Sequence, residues 1–232
     1  MNIKEVAELF RAYIDEPDAT FVTDADIRVF LAQGYREFRD MVTRIQPETY
    51  STGASLVMSD EAKFDFATTN VTFDDLSVGK MLGDSATAGR RMVKLISVSI
   101  LDNLSLTPTT IYEPVTSAVA LERSWNGYML VGTKLVFSGR INDTITVAYV
   151  PEQSDTKWDN LASTANIDDL SLYHDIIALL ASKQYAIRDG AFNQPLMDQL
   201  RQRMADLQEG LTKRVVDAPQ YVQRVLEANE YS

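Results

Sequence analysis

The stretch GYMLVGTKLVFSGRINDTITVAYVP, residues 127–151, decides how the chain is read. Within it, Ile145, Val147 and Tyr149 alternate with Thr144, Thr146 and Ala148, the period of a strand with one buried face. Gly132 with Thr133, and the run from Gly139 to Asp143, supply residues that tolerate turn backbone angles, so the stretch is predicted to form a three-stranded meander. Upstream, LISVSIL (95–101) sets Ile96, Val98 and Ile100 against Ser97 and Ser99 in the same way. VTSAVALERSW (115–125) has room for one or two helical turns, and SVGKMLGDSATAGR (77–90), without periodicity, reads as a mobile loop.

Outside this β-rich middle the spacing becomes helical. Ile27, Phe30, Leu31, Tyr35, Phe38, Met41, Val42 and Ile45 fall on one face of a helix between Thr23 and Ile45, with Thr23 and Asp26 as a capping box and Pro47 as a stop. A shorter helix with Val6, Phe10 and Tyr13 or Ile14 inward precedes it, across a turn at Glu16–Thr20. Helical spacing resumes at Leu170 and runs through Tyr173, Ile176, Ile177, Leu180, Gln184 and Ile187 to Gly190. A last helix starts near Asn193, with Pro195 in its first turn and Leu196, Leu200, Met204, Leu207 and Leu211 inward. The pattern predicts an α+β fold: a four-helix body of N- and C-terminal helix pairs carrying a central antiparallel β insertion. The divisions fall at 1–46, a helical hairpin, 47–160, the insertion, 161–216, the helix pair that packs on the hairpin, and 217–232, a tail.

Composition narrows the chemistry. The chain has 232 residues, enough for one sizeable domain or a domain with an insertion, and no run approaches the about 20 apolar residues of a membrane span. Its N-terminus mixes Lys4, Glu5, Glu8 and Arg11 into its apolar residues and is unlike a secretory signal. The absence of cysteine removes disulfides, thiolate nucleophiles and cysteine metal sites. With 22 basic residues against 33 acidic ones, broad wrapping of nucleic acid is disfavoured, while a surface past which DNA slides is allowed.

Catalytic motifs fail when their partners are required. Gly79 and Lys80 suggest a phosphate loop, but Met81 stands where a hydroxyl should hold magnesium and Asp74 where the earlier glycine belongs. Gly83, Asp84 and Ser85 resemble an esterase opening; Thr87 replaces the last glycine of the nucleophile elbow, and Ser171 stands where the acid three residues before the only histidine, His174, is needed. His174 reads as a helix-surface histidine near Tyr173 and Asp175, since a metal site needs further ligands. Asp74 with Asp75 and Asp168 with Asp169 are carboxylate pairs suited to a hard cation or to acid–base work, the second pair also suiting a helix start. Arg90, Arg91 and Lys94 form a compact basic group best read as a solvated strand entry. Trp125, Tyr128 and Trp158 offer either a sugar-stacking platform or core and interface aromatics. No catalytic, cofactor or metal residue is assigned.

The tail, APQYVQRVLEANEYS (218–232), places Tyr221, Val222, Val225 and Leu226 on one side of a short helix too small to hold itself in water.

The order of parts resembles a known family. FVTDADIRVFLAQGYREFRDMV (21–42), the strand series VKLISVSI (93–100), WNGYMLVGTKLVF (125–137) and ITVAYVPEQSD (145–155), and the closing LSLYHDIIALLASKQYAIRDGAFNQPLMDQL (170–200) are similar to tailed-phage head-to-tail adaptor, or neck, proteins. That resemblance implies a structural virion protein, assembled in the host cytoplasm and placed in the neck between capsid and tail. It also implies a homo-oligomeric ring, dodecameric in the family, which docks on the portal protein, extends the DNA channel without binding DNA specifically, and gives tail or tube proteins an attachment platform. On this reading no residue is catalytic. Pro219, Tyr221, Val222, Val225 and Leu226 dock on the portal, and Trp125 and Tyr128 face the tail. The alternative is a β-module virion protein that binds another protein or a carbohydrate.

Overall fold

The computed structural model describes residues 1–16, 22–83, 90–101, 108–153, 155–190 and 193–217. The chain divides into two compact units, one formed by 1–46 together with 155–232 and the other by 47–154. Among the described residues there are five α-helices and a nine-stranded mixed sheet that curls into a half-barrel. This corrects the expected helical body with a central antiparallel insertion. The sheet is larger than the periodicity indicated, it contains a parallel pair, and it has a hydrophobic core of its own.

In the helical unit, α1 (Ile3–Tyr13) and α2 (Asp24–Ile45) each begin with a capping box, Asn2 with Glu5 and Thr23 with Asp26. These reciprocal bonds satisfy amide donors that a helix start leaves unpaired. Helix α2 buries Ile27, Phe30, Leu31, Tyr35, Phe38 and Val42, each contributing about 1.5–3 kcal/mol. Met41 and Ile45, expected inward, are half-buried. Helix α4 (Asp175–Asp189) follows a 3-10 turn at Ser171–Tyr173 and ends at Gly190, which takes a left-handed φ of 69°. It buries every residue from Ile176 to Ser182, whereas Ile187, expected inward, is exposed. Helix α5 (Gln194–Asp217) buries Leu196, Leu200, Leu207 and Leu211. Helices α2 and α4 cross closely at Gly34: a Cβ there would sit 2.7 Å from the Ile177 carbonyl oxygen and 3.0 Å from the Ala181 nitrogen.

The β unit is built on a bent ribbon. β1 (Thr52–Val57) pairs antiparallel with β9 (Thr144–Pro151), and β2 (Glu61–Asp65) pairs with β8 (Lys134–Ile141). At the bend the Met58 amide donates to the Asp143 carbonyl at 3.0 Å, Asp60 takes a φ of 57°, and Arg140 pairs with Asp60 at 3.0 Å. The sheet order is β2-β8-β7-β6-β5-β9-β1-β3-β4, with β3 at Val71–Phe73, β4 at Val78–Gly79, β5 at Met92–Leu101, β6 at Pro108–Pro114 and β7 at Gly127–Val131. β7 and β8 form a hairpin through Gly132, with φ 61°, but β8 does not pair with β9. The predicted three-stranded meander is therefore corrected: two strands joined by a tight turn lie four places apart in the order, and the curl of the sheet reconciles the two facts. The expected loop 77–90 is corrected in part. Val78–Gly79 pairs with β3, and Met81 is fully buried in the β core; residues 84–89 lie outside the described residues.

Helix α3 (Ala118–Arg123), capped by Ser117, crosses between the parallel strands β6 and β7. The core gathers Leu56, Phe66, Leu135, Ile145, Val147 and Tyr149 from both arms of the ribbon. The Tyr149 hydroxyl is buried without a hydrogen-bond partner among the described residues. Burial pushes its pKa from 10.0 up to about 12, against the opposing pull of Arg90 and with a smaller push from Asp74.

Two outcomes follow. Gly34→Ala should lower stability by about 1–3 kcal/mol, because backbone rather than a flexible side chain blocks the new methyl, while Gly139→Ala, which meets nothing within 4 Å, should shift it far less; urea midpoints compare the two. Between pH 10 and about 12 the unfolded chain releases the Tyr149 proton before the folded chain does, so stability falls as pH rises through that window. Tyr149→Phe should flatten that alkaline loss without lowering stability at neutral pH, as an unpartnered buried hydroxyl contributes nothing favourable; a lower midpoint at pH 7 would contradict the assignment.

Candidate functional site

His174 corrects the sequence reading most sharply. Expected on a helix surface beside Asp175, it is fully buried, and Asp175 belongs to another network. Its Nδ1 lies 2.7 Å from the Met1 carbonyl oxygen and its Nε2 lies 2.6 Å from Asp168 Oδ1. The same carboxylate accepts the Leu170 amide at 2.9 Å and the Tyr35 hydroxyl at 3.1 Å. The Tyr35 oxygen in turn accepts from Lys157 Nζ at 3.4 Å, and Lys157 also donates to the Ile167 carbonyl. Desolvation lowers the Lys157 pKa, with the Asp168 charge opposing that shift. Phe38 closes over the imidazole edge to face at 6.4 Å, and Trp158 packs on Tyr35 at 5.9 Å.

This histidine–carboxylate pair has the residue types of an acid–base dyad but not the access. Both ring nitrogens are occupied by oxygens of the fold, so neither is presented to a substrate. The network instead joins the first residue, α2 and the entry of α4. Ile3 and Lys4 support the same junction, donating their amides to the carbonyls of Ala165 and Ser163.

Of the remaining charged candidates, Asp175, Asp74, Asp75 and Arg90 also work within the fold, whereas Asp169, Arg91 and Lys94 are exposed. Asp175 holds Arg203 of α5 in a two-point contact, Nε to Oδ2 at 2.6 Å and Nη2 to Oδ1 at 2.8 Å. That hydrogen bond raises the Arg203 pKa above its ordinary value. Asp74 accepts the Gly53 amide at 2.7 Å and the Thr52 hydroxyl at 3.1 Å, fastening the turn after β3 to β1. Asp75 pairs with Arg90, which stacks on Phe73 at 4.6 Å; the reading of Arg90 as a solvated strand entry is corrected to this packed contact. Among the described residues, no three His, Cys, Asp or Glu side chains are grouped so as to hold a metal ion. No helix among them is long and apolar enough to cross a membrane.

The aromatic candidates separate. Trp158 is buried in the helical unit and Tyr128 is 5% exposed in the β core, whereas Trp125 is 95% exposed. The expected pairing of Trp125 with Tyr128 on one exposed surface, and the three-ring sugar platform, are thereby corrected: Tyr128 packs into the β core. The backbone beneath Trp125 is fixed. Ser138 Oγ donates to the Trp125 carbonyl at 3.0 Å and accepts the Gly127 amide at 3.2 Å, and the Glu113 amide donates to the Asn126 carbonyl at 2.7 Å. A Cβ on Gly127 would meet Ser124 Cβ at 2.7 Å, so the chain turns tightly there.

Ile111 on β6 and Val119 on α3 are exposed apolar side chains of the same unit. Periodicity could not reveal this site, because Trp125 lies between elements rather than on the face of one. Pro219, Tyr221, Val222, Val225 and Leu226 lie outside the described residues.

No family model matches the chain, and no curated protein matches its sequence.

His174→Ala should destabilise the helical unit by about 3 kcal/mol, since it empties a buried site and removes the imidazole from a largely buried carboxylate that keeps its bonds from the Leu170 amide and the Tyr35 hydroxyl. Adding Asp168→Asn to that variant should recover part of the loss. Denaturation midpoints give both values, and a cost for His174→Ala below about 1 kcal/mol would show that the network does not hold the unit.

Proposed function

We propose that this chain is a structural virion protein, a head-to-tail adaptor that assembles as a ring on the portal protein, extends the DNA channel and presents its β unit to tail or tube proteins. The observation that carries the reading is Trp125: an indole left almost wholly in solvent on a backbone held by Ser138 and by β6. Aromatic anchors on rigid supports dominate protein contacts, because they bury a large area while losing little conformational freedom. The same unit also exposes Ile111 on β6 and Val119 on α3.

The resemblance in the order of the sequence elements supplies the identity of the partners. The acidic balance, 33 acidic against 22 basic residues, suits a surface past which DNA moves without being held. The histidine and carboxylates whose geometry was followed above are committed to hydrogen bonds within the fold, which favours a contact role over a catalytic one. In this reading the stripe of Tyr221, Val222, Val225 and Leu226, following Pro219, docks on the portal.

Co-expression with the portal protein encoded beside this chain, followed by electron microscopy of the purified portal viewed end-on, tests the proposal. The expected result is a second coaxial ring, lost when residues 218–232 are deleted. Trp125→Ala should leave that ring and the far-ultraviolet circular dichroism unchanged, yet weaken capture of tail proteins by about tenfold or more, the scale of an interface anchor. A bare portal ring with free monomer would overturn the adaptor reading.

A further inference from the structure

An apolar groove of about 410 Å³ runs between the end of α2 and the middle of α5 in the helical unit. Met41 and Ile45 line it from one side and Met204 and Leu207 from the other, with Arg44 and Arg201 at its rim. Met204 is 36% exposed there, although its spacing on α5 matches that of the buried leucines. A hollow of this size and composition is suited to several aliphatic or aromatic side chains.

The sequence that follows α5 carries such side chains. Tyr221, Val222, Val225 and Leu226 recur at helical spacing beyond Asp217, where α5 ends. From Asp217 back to Met204 the helix covers about 20 Å; an extended link to Tyr221 spans up to about 14 Å and the stripe from Tyr221 to Leu226 as a helix about 8 Å more, so the stripe can return along the groove of its own helix. Pro219 disfavours continuation of the helix and so favours a change of direction. Past the stripe come Glu227 and Glu230, complementary to Arg44 and Arg201. The present partners of those arginines, Asp40 and Asp198, form exposed pairs of the weak class, so exchanging them costs little. A segment tethered this closely has an effective concentration in the millimolar range, which sets the chain's own tail ahead of a second copy.

We propose that residues 218–232 fold back and seat Tyr221, Val222, Val225 and Leu226 in the groove formed by Met41, Ile45, Met204 and Leu207 of the same chain. The inference does not depend on the adaptor reading. Under that reading it adds that the portal must displace the tail from its own groove before docking it.

The chain has no cysteine, which makes paired substitutions a clean probe. Gln208→Cys, at an exposed position lining the groove, is combined with Val225→Cys; the control combines Lys213→Cys with Val225→Cys. Position 213 is nearer the tail along the chain but about 140° round the helix from 208, at 3.6 residues per turn. Under mild oxidation the Gln208→Cys pair should form a disulfide within the monomer at least tenfold faster than the control. Adding Met204→Glu, which charges the groove, should slow it to the control rate. Equal rates for the two pairs would overturn the proposal, and so would a disulfide that joins two chains, which would assign the groove to a second copy.

Discussion

The close approach of α2 and α4 at Gly34 is the constraint on which the two-unit organisation depends. These helices lie on either side of the whole β unit in sequence, so their contact closes a loop of more than a hundred residues. Loop closure of that length is entropically costly, though the cost grows only slowly with length, and it has to be recovered from burial. Recovery is possible because α4 is apolar on all sides through its first half, from Ile176 to Ala181, and α2 presents six large side chains to the unit. A side chain at position 34 would separate the backbones and weaken each of those contacts at once.

Within the β unit, the equivalent constraint is the bend of the ribbon. A flat sheet would leave one face of β9 without cover, yet Ile145, Val147, Tyr149 and Val150 are all buried. Breaking β1 from β2 at Asp60, and β8 from β9 at Asn142 and Asp143, folds the ribbon across its own inner face, so that Leu135 and Phe137 on one arm join Ile145 and Val147 on the other. The parallel pair β6 and β7 follows from the crossover through α3, because a tight turn can join only antiparallel neighbours.

How much of this was legible depends on whether the information was local. The face of α2, both residues of its capping box and the left-handed Gly190 are set within a turn or two of sequence, and they read directly. The alternation in β9 read correctly as well, since Ile145, Val147 and Tyr149 share one face. Pairing partners did not read, because β8 and β9 look like a hairpin until β2 is found to occupy the edge that β9 would need. The short strands β3 and β4 carry too few residues for a period to show. His174 was misread for the same reason. Its partners are Asp168, six residues away across an irregular segment, and the Met1 carbonyl at the far end of the chain, so a helical wheel drawn from Leu170 places it on the wrong side. Trp125 belongs to no element, and only the fold shows that its neighbour Tyr128 turns inward while it does not.

One exposed indole is a weak basis for binding on its own, and this bears on how such a site works. A tryptophan buries about 150–250 Å² in a contact, worth about 4–6 kcal/mol at 25 cal/mol per Å² before side-chain ordering is charged against it. Association of two proteins costs a comparable or larger amount in lost translation and rotation, about 4–15 kcal/mol. A single copy anchored by Trp125 alone would thus hold a partner only transiently. Copies arranged in a ring meet that cost largely once, since each anchor after the first engages at the high effective concentration set by its neighbours. An exposed aromatic on a fixed backbone is consequently the kind of contact that gains most from repetition and stays weak in a single copy.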